Sequence, residues 1–307
     1  MIKRILKGVC HPSVALRYFI SVSHIFDNMD DEAYIRLLWR IKFFKNLDLI
    51  NPQGYNEKLQ WLKLHDHNPA YTQMVDKYLA KPYVAGIIGE EYIIPTLGVW
   101  DKPEDIDFSS LPQQFVLKTN HTGGGGGVII CRDKANLNQK VAIKRMTKSM
   151  MGNVYKELRE WPYKNIEKKI IAERYMEDDS GNLNDYKVLC FSGKAKLIEY
   201  HANRYEGHHT QDFYDCNWNK TDISQGGVDT RSEIIAPKPT TLDKMLELSE
   251  LLTKEMPHCR VDWYEVKGKL YFGELTFYDS SGFDKFDRIE DEQLLGSWID
   301  LSMCYKG

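Results

Sequence analysis

Apolar residues recur at helical spacing near the start of the chain, with Tyr34, Leu37, Leu38 and Ile41 on one face behind Asp30 and Asp31. Such spacing predicts a helix, and acidic residues suit its first turn. Residues 1 to about 50 therefore read as a helical segment, closed by the turn signal Asn51-Pro52-Gln53-Gly54. A second helical pair is predicted over Asn56–His65 and Pro69–Gly86, followed by a linker from Gly89 to Gln114. The period then changes. Phe115–Thr119 and Val128–Cys131 read as short strands around five consecutive glycines, and helical segments are expected at about 135–160. Further strands are predicted near 169–176, 186–191 and 194–200, with a turn at Asp178–Asn182 and a hairpin connection at Phe191–Lys194. A helix at about 240–256 precedes a last hairpin, RVDWYEVKGKLYFGELTF, from Arg260 to Phe277. Strands and helices in this mixed order imply an α+β fold rather than a regularly alternating doubly wound sheet.

The 307 residues are enough for one large domain or two, and 42% hydrophobic with 28% charged residues is ordinary globular composition. A formal net charge of -3 gives no basic surface of the kind nonspecific nucleic-acid binding needs, so no nucleic acid is expected as a partner. The 18 Tyr and 7 Trp suit a sugar- or nucleotide-handling cleft, and a packed core equally well. Six scattered cysteines without a CxxC read as buried small hydrophobes in a reducing compartment, with neither zinc nor a disulfide framework. No apolar run reaches the ~18 residues of a membrane span. His11, Pro12 and Arg17 interrupt the apolar N-terminus, so no export signal is expected there. The N-terminal helices are open to two readings: a plain docking element, or an amphipathic contact with a membrane or partner enzyme.

Two elements carry chemistry. In the last hairpin, Asp262 and Glu274 converge beside Arg260, with Thr276 next to Glu274. Hard Mg²⁺ takes oxygen ligands and shares them with nucleotide phosphates. Side chains alternate faces along a strand, so the loop length decides whether the two carboxylates meet. A three-residue loop, Lys267 to Lys269, pairs Asp262 with Glu274 and Arg260 with Thr276; a two-residue turn at Lys267-Gly268 puts Glu274 on the other side. An odd loop is therefore expected. The second element is the run Gly123, Gly124, Gly125, Gly126 and Gly127. Such a loop is entropically costly, but its bare N–H groups can close on an anion and it can move as a lid. It lacks the GK[ST] of a Walker loop and leads into a strand, which excludes a dinucleotide fingerprint. Lys118 can point its charge at the same phosphates, Glu173 can face adenine and ribose, and Lys187 sits in an apolar strand where a lysine wants a partner. The segment 199–218 holds His201, Arg204, His208 and His209. Its histidines lack zinc-ligand spacing. The guanidinium fork of Arg204 suits a carboxylate or a γ-phosphate, against the plainer reading of a solvated polar loop.

Taken together, VDKYLAKPYV at 75–84, FVLKTNHTGGGGGVIIC at 115–131, IIAERYM at 170–176, DYKVLCFSGK at 185–194 and the RVD…ELTF hairpin resemble the ATP-grasp superfamily. The likeness is to its teichuronopeptide-biosynthesis (TupA-like) branch and runs from about Asn51 to Trp298. The resemblance implies an ATP-grasp fold, two α+β subdomains clasping ATP. It divides the chain into an N-terminal helical segment (1–50), a helical region leading into the grasp (51–112), a lid subdomain (113–176) and a metal and substrate subdomain (177–307). It implies ATP and Mg²⁺ as cofactors. Lys118 and Gly123 to Gly127 would cover the triphosphate, Glu173 would contact adenine and ribose, and Lys187 a phosphate. Asp262 and Glu274 would hold the metal, and Arg260 would stabilise the transferred phosphoryl group. Thr276 stands where many members have Asn, a stronger third ligand, and Lys77 lies near the entrance of the fold. The implied reaction joins a carboxylate to an amine through an acylphosphate. By analogy with the branch, the carboxylate is a uronic acid of a surface polysaccharide or its precursor, and the amine an amino acid or small amine. The implied place is the cytoplasm, at the inner face of the membrane. Two other readings stand beside it: a glycosyltransferase, which wants a DxD-type pair where this chain offers only Asp30-Asp31 and Asp178-Asp179, and a nucleotide-binding scaffold without catalysis.

Overall fold

The computed structural model describes residues 16, 20, 23–123, 127–178, 183–202, 209–225 and 231–305. Gly124, Gly125, Gly126, Arg204, His208 and most of the first 22 residues lie outside the described residues, as does the turn at 179–182.

Helix α1 (Asp31–Phe43) starts where the Asp30 carboxylate accepts the Ala33 N–H, which satisfies one of the free donors of a helix start. It buries Tyr34, Ile35, Leu38 and Trp39 against Phe283. Helix α2 (Tyr55–His65) follows the predicted turn. The single helix expected over Pro69–Gly86 is two helices, α3 (Ala70–Val75) and α4 (Ala80–Ile88). Asp76 makes the break. Its side chain accepts the N–H groups of Tyr78 and Leu79 and a bond from Asn120 Nδ2, while Lys77 N donates to Asn120 O at 3.0 Å. An aspartate that bonds its own following backbone competes with the helical ladder.

The region expected to be a linker contains a strand, β1 (Thr96–Trp100), half exposed and therefore without a clear alternation. It joins β2 (Phe115–Thr119), β3 (Val128–Cys131) and β4 (Ile170–Arg174) in an antiparallel sheet ordered β1-β4-β2-β3. Helices α5 (Gln139–Met150) and α6 (Val154–Leu158) lie between β3 and β4 in the chain. Ala142 and Met146 of α5 close a small core over Phe115, Leu117 and Ile129.

The second sheet has the order β7-β6-β5-β8-β9, all antiparallel: β5 (Asp185–Phe191), β6 (Lys194–Ala202), β7 (Thr210–Tyr214), β8 (His258–Val266) and β9 (Lys269–Thr276). Strand β7 falls in the segment read as a polar loop. Helix α7 (Leu242–Thr253) packs on the face carrying Val188, Val261 and Trp263, whose indole N–H donates to Ser249 Oγ. The largest core lies here, joined by α2 to α4. Helix α8 (Ile289–Ser297) ends the order, with Glu292 accepting from the backbone and side chain of Asn56 in α2. The remaining sheet face, directed away from α7, carries charge. No helix among the described residues is long and apolar enough to cross a membrane.

Candidate active site

Four charged residues form one row across the second sheet. Glu199 is opposite Lys187, Lys187 is opposite Asp262, and Asp262 is opposite Glu274. Opposed residues of antiparallel strands share a face, so all four point to the same side. Arg260 and Thr276, themselves opposed, lie two residues along on that face.

The pairing of Asp262 with Glu274 and of Arg260 with Thr276 is the one the metal reading needs, but the expected three-residue loop is not how it arises. Lys267 and Gly268 alone turn the chain, both with positive φ (52° and 70°), the backbone that a two-residue hairpin matching strand twist requires. The register then shifts between Asp262 and Trp263, with Gly273 as the extra residue of a β-bulge. One added residue reverses the facing of everything after it. A Cβ at Gly273 would lie 3.0 Å from Asp262 O, so the bulge is built on close backbone approach.

Around this row the ion pairs are dense. Arg260 grips Asp262 with two bonds, Nε to Oδ1 at 2.7 Å and Nη2 to Oδ2 at 2.9 Å. It also donates to Thr276 Oγ1 at 3.3 Å and pairs with Asp279. Lys187 Nζ lies 2.6 Å from Asp262 Oδ2, and Lys77 Nζ 2.9 Å from Glu274 Oε2. Burial pushes Glu274 up, yet Lys77, Arg260 and Lys187 outweigh it and hold the carboxyl well below its usual range. Burial wins at Asp279, raised to about 6 despite Arg260. Lys187 is held above the usual lysine range by Asp262, against both burial and Arg260.

Asp279 opens a turn in which Ser280, Ser281 and Gly282 all have positive φ (47°, 56° and 65°). Serine is costly in that region, so something must hold the turn. Lys63, buried in α2, does so by donating to Ser281 O at 2.8 Å and Ser281 Oγ at 2.7 Å.

The first sheet offers a second ion cluster. Glu173 sits opposite Val116 and diagonal to Lys118, and its two oxygens receive Lys118 Nζ and Lys81 Nζ, each at 2.6 Å. Burial raises Glu173, and the two lysines more than reverse this. Lys81 also donates to Ile94 O and Thr96 Oγ1, which ties α4 to β1. At the glycine run, Thr119 Oγ1 bonds Thr122 Oγ1 (2.6 Å) and Ser149 Oγ (2.8 Å). A Cβ on Gly127 would come within 2.6 Å of all three oxygens, so the base of the loop tolerates only glycine. Gly123, at the other end, has open space.

The structure thus gathers Lys77, Lys187, Arg260, Asp262, Glu274 and Thr276 in one cluster, and Lys118 with Glu173 in a second. Lys81, Lys63 and Glu199 were missed by sequence reasoning. Lys81 lay inside the VDKYLAKPYV segment, but its role depends on α4 docking over β1. The Asp30-Asp31 pair is spent structurally, Asp30 as a helix cap and Asp31 on Arg159 and the Tyr155 hydroxyl.

Two carboxylates and a hydroxyl are hard oxygen donors, and Mg²⁺ takes few of these from protein because it keeps water and phosphate oxygens. No group of three His, Cys, Asp or Glu side chains is arranged for a metal among the described residues. Three cations (Lys77, Lys187, Arg260) balance three carboxylates (Asp262, Glu274, Asp279). A metal brought with phosphates keeps that balance, since the phosphates become partners for the lysines. The residues fit a magnesium–nucleotide.

A nucleotide-clasping α+β protein with two antiparallel sheets is the class that this fold and site define. The sequence matches the TupA-like ATPgrasp family over residues 57–300, and the chain belongs to that family. ATP-grasp enzymes use ATP and Mg²⁺. No curated protein matches the sequence. Among solved structures, D-alanine–D-alanine ligase from Helicobacter pylori is 14% identical with a TM-score of 0.44, over 80% of this chain and 69% of that one. A RimK domain ATP-grasp protein from Sphaerobacter thermophilus is 13% identical with a TM-score of 0.42, over 75% and 69%. D-alanine–D-alanine ligase from Bacillus anthracis is 17% identical with a TM-score of 0.37, over 73% of this chain and 59% of that one. This chain therefore spans little more than half of the last. Likeness at this level carries nothing about shared substrates.

Proposed function

We propose that this chain is an ATP- and Mg²⁺-dependent carboxylate–amine ligase that works through an acylphosphate. The observation that carries the reading is the row Lys187–Asp262–Glu274 with Lys77 and Arg260 around it, a set of oxygen donors and cations on one sheet face. Asp262 and Glu274, with Thr276, would hold magnesium, which when bound neutralises phosphate charge. Lys187 and Lys77 orient the phosphates, and Arg260, fixed by Asp262 and Asp279, stabilises charge on the transferred phosphoryl group. Lys118, Gly123 and Gly127 belong to the lid, together with Gly124, Gly125 and Gly126, and Glu173 to the nucleotide end. Arg204 would grip the carboxylate that is phosphorylated, or the γ-phosphate. A substrate carboxylate oxygen attacks the γ-phosphorus and ADP departs; the amine then displaces phosphate from the acyl carbon. Such chemistry asks the protein for positioning and charge stabilisation rather than a nucleophile.

The substrate class we assign, from the family's teichuronopeptide branch, is a uronic acid of a bacterial surface polysaccharide or its precursor, with an amino acid or small amine as acceptor. The place is the cytoplasm at the inner membrane face, with the N-terminal helices meeting the membrane or a polysaccharide-synthesis enzyme. The test is ADP release from ATP and Mg²⁺ with glucuronate and glycine. Release that requires both supports the ligase; consumption of a nucleotide sugar without ATP overturns it.

A further inference from the structure

Three side chains at the β6–β7 end of the charged face take no part in the phosphate chemistry and are bonded to one another. Glu199, buried beside Lys187 in the row, faces His201 Nε2 at 2.5 Å and accepts from Gln211 Nε2 at 2.7 Å, both through Oε1. His201 Nδ1 lies 2.7 Å from His209 Nε2, with the two rings within 8° of parallel. Glu199 Oε2 is buried without a hydrogen-bond partner. The series runs outward from a buried carboxylate, through a buried imidazole, to one that is partly exposed.

Bonding order fixes the proton positions. A carboxylate can only accept, so His201 carries its hydrogen on Nε2. In the neutral ring Nδ1 is then an acceptor, and the hydrogen between the rings belongs to His209. This is how a buried carboxylate orients an imidazole as a base and stabilises the cation that forms when it takes a proton. Burial pushes Glu199 up, but His201, Arg260 and Lys187 hold it at about 2, so the anchor is ionised. The groups facing His201 are Asp185 opposite it on β5, Glu199 on its own strand, Gln211 on β7, and His209 just before β7. Glu199 and Glu274 are three strand spacings apart, about 14 Å, which leaves room for a substrate lying across Lys187.

We infer that Glu199, His201 and His209 form a proton relay that takes the proton from the attacking amine. The inference rests on the ligase reading. In the step, the amine lone pair forms the C–N bond, the acyl C–O bond breaks, and phosphate leaves with that electron pair. The N–H proton passes to His209, and the charge is stabilised through His201 by Glu199. His209 is the catalytic group; His201 and Glu199 position it.

Hydroxylamine separates the relay from the rest of the reaction, because it is unprotonated at neutral pH and needs no base. With ATP, Mg²⁺ and glucuronate, His209→Ala and His201→Ala should form hydroxamate within about twofold of the wild-type rate. They should form the glycine amide about 100-fold more slowly, the size of a lost general base. Added imidazole should restore part of that loss in His209→Ala. Proton NMR of the full wild-type chain should show a low-field imidazole N–H signal that Glu199→Gln removes. Equal loss of both products, or no low-field signal, overturns the relay while the ligase reading stands. If the wild type yields no hydroxamate, the ligase reading itself fails.

Discussion

Asp262 and Glu274 face each other across the β8–β9 hairpin although only Lys267 and Gly268 turn the chain, because Gly273 bulges out of β9 between them and the turn. The two carboxylates therefore share a face through one residue that has no side chain.

Deleting Gly273 should remove the bulge and leave a regular two-residue hairpin in which Glu274 takes its place, still opposite Asp262, so ATP turnover should be retained. Gly273→Ala keeps the extra residue and tests the close approach instead. Its Cβ would meet Asp262 O at 3.0 Å and the Tyr264 ring at 3.2 Å, and about 1–2 kcal/mol of destabilisation is expected. Denaturant unfolding and ATP turnover, measured on both variants, check this.

Asp262→Asn and Glu274→Gln should separate stability from activity. Asp262 is buried between Arg260 and Lys187, so its loss leaves two buried cations short of a partner, at roughly 3–5 kcal/mol. Glu274 is partly exposed, and Glu274→Gln should change stability by about 1 kcal/mol or less. Both should lose ATP turnover. Thermal melts beside turnover assays decide it; a Glu274→Gln protein with wild-type turnover removes the metal role.

Acid stability should depend on Glu199. Its folded-state value is lowered from 4.5 to about 2, so its ionised form favours folding. That contribution is complete well above pH 4.5 and disappears as pH falls toward 2. Glu173 is lowered in the same sense. Asp279 works oppositely: raised from 3.8 to about 6, it favours folding at low pH and loses this as pH rises through 6. Between pH 4.5 and 2 the wild type should lose more stability than Glu199→Gln, as read by urea unfolding across that range.

Ser280 has φ 47° and is exposed. Glycine relieves the steric cost there, so Ser280→Gly should stabilise the protein by ~0.5–1 kcal/mol and raise its Tm by a few degrees. Ser281→Gly should not gain as much, since Ser281 Oγ accepts from Lys63. A calorimetric comparison of the two variants tests this.

Much of the site was legible because its elements are local. Val–Asp–Trp–Tyr against Leu–Tyr–Phe–Gly–Glu marks a hairpin, and five glycines between apolar strands mark a loop built for close approach. The register of that hairpin was legible only in its outcome. Turn chemistry favours two residues at Lys267-Gly268, and the bulge that corrects the facing appears only once β8 and β9 are paired. Strand β1 was missed because none of its five positions is fully buried, and β7 because its buried positions, Asp212, Phe213 and Tyr214, run together without alternating.

The sequence by itself determined which residues could do the chemistry: the glycine run, Lys118, Lys187, Arg260, Asp262 and Glu274, each held by local pattern in a loop or strand. Tertiary structure decided which of them meet. Strand pairing put Glu199 beside Lys187, the Asp76 break brought Lys77 to Glu274, and α4 docking gave Glu173 its second lysine, Lys81. Lys77 and Glu274 are 197 residues apart and Lys81 and Glu173 are 92 apart, and nothing along one strand or helix records which other strand will lie beside it.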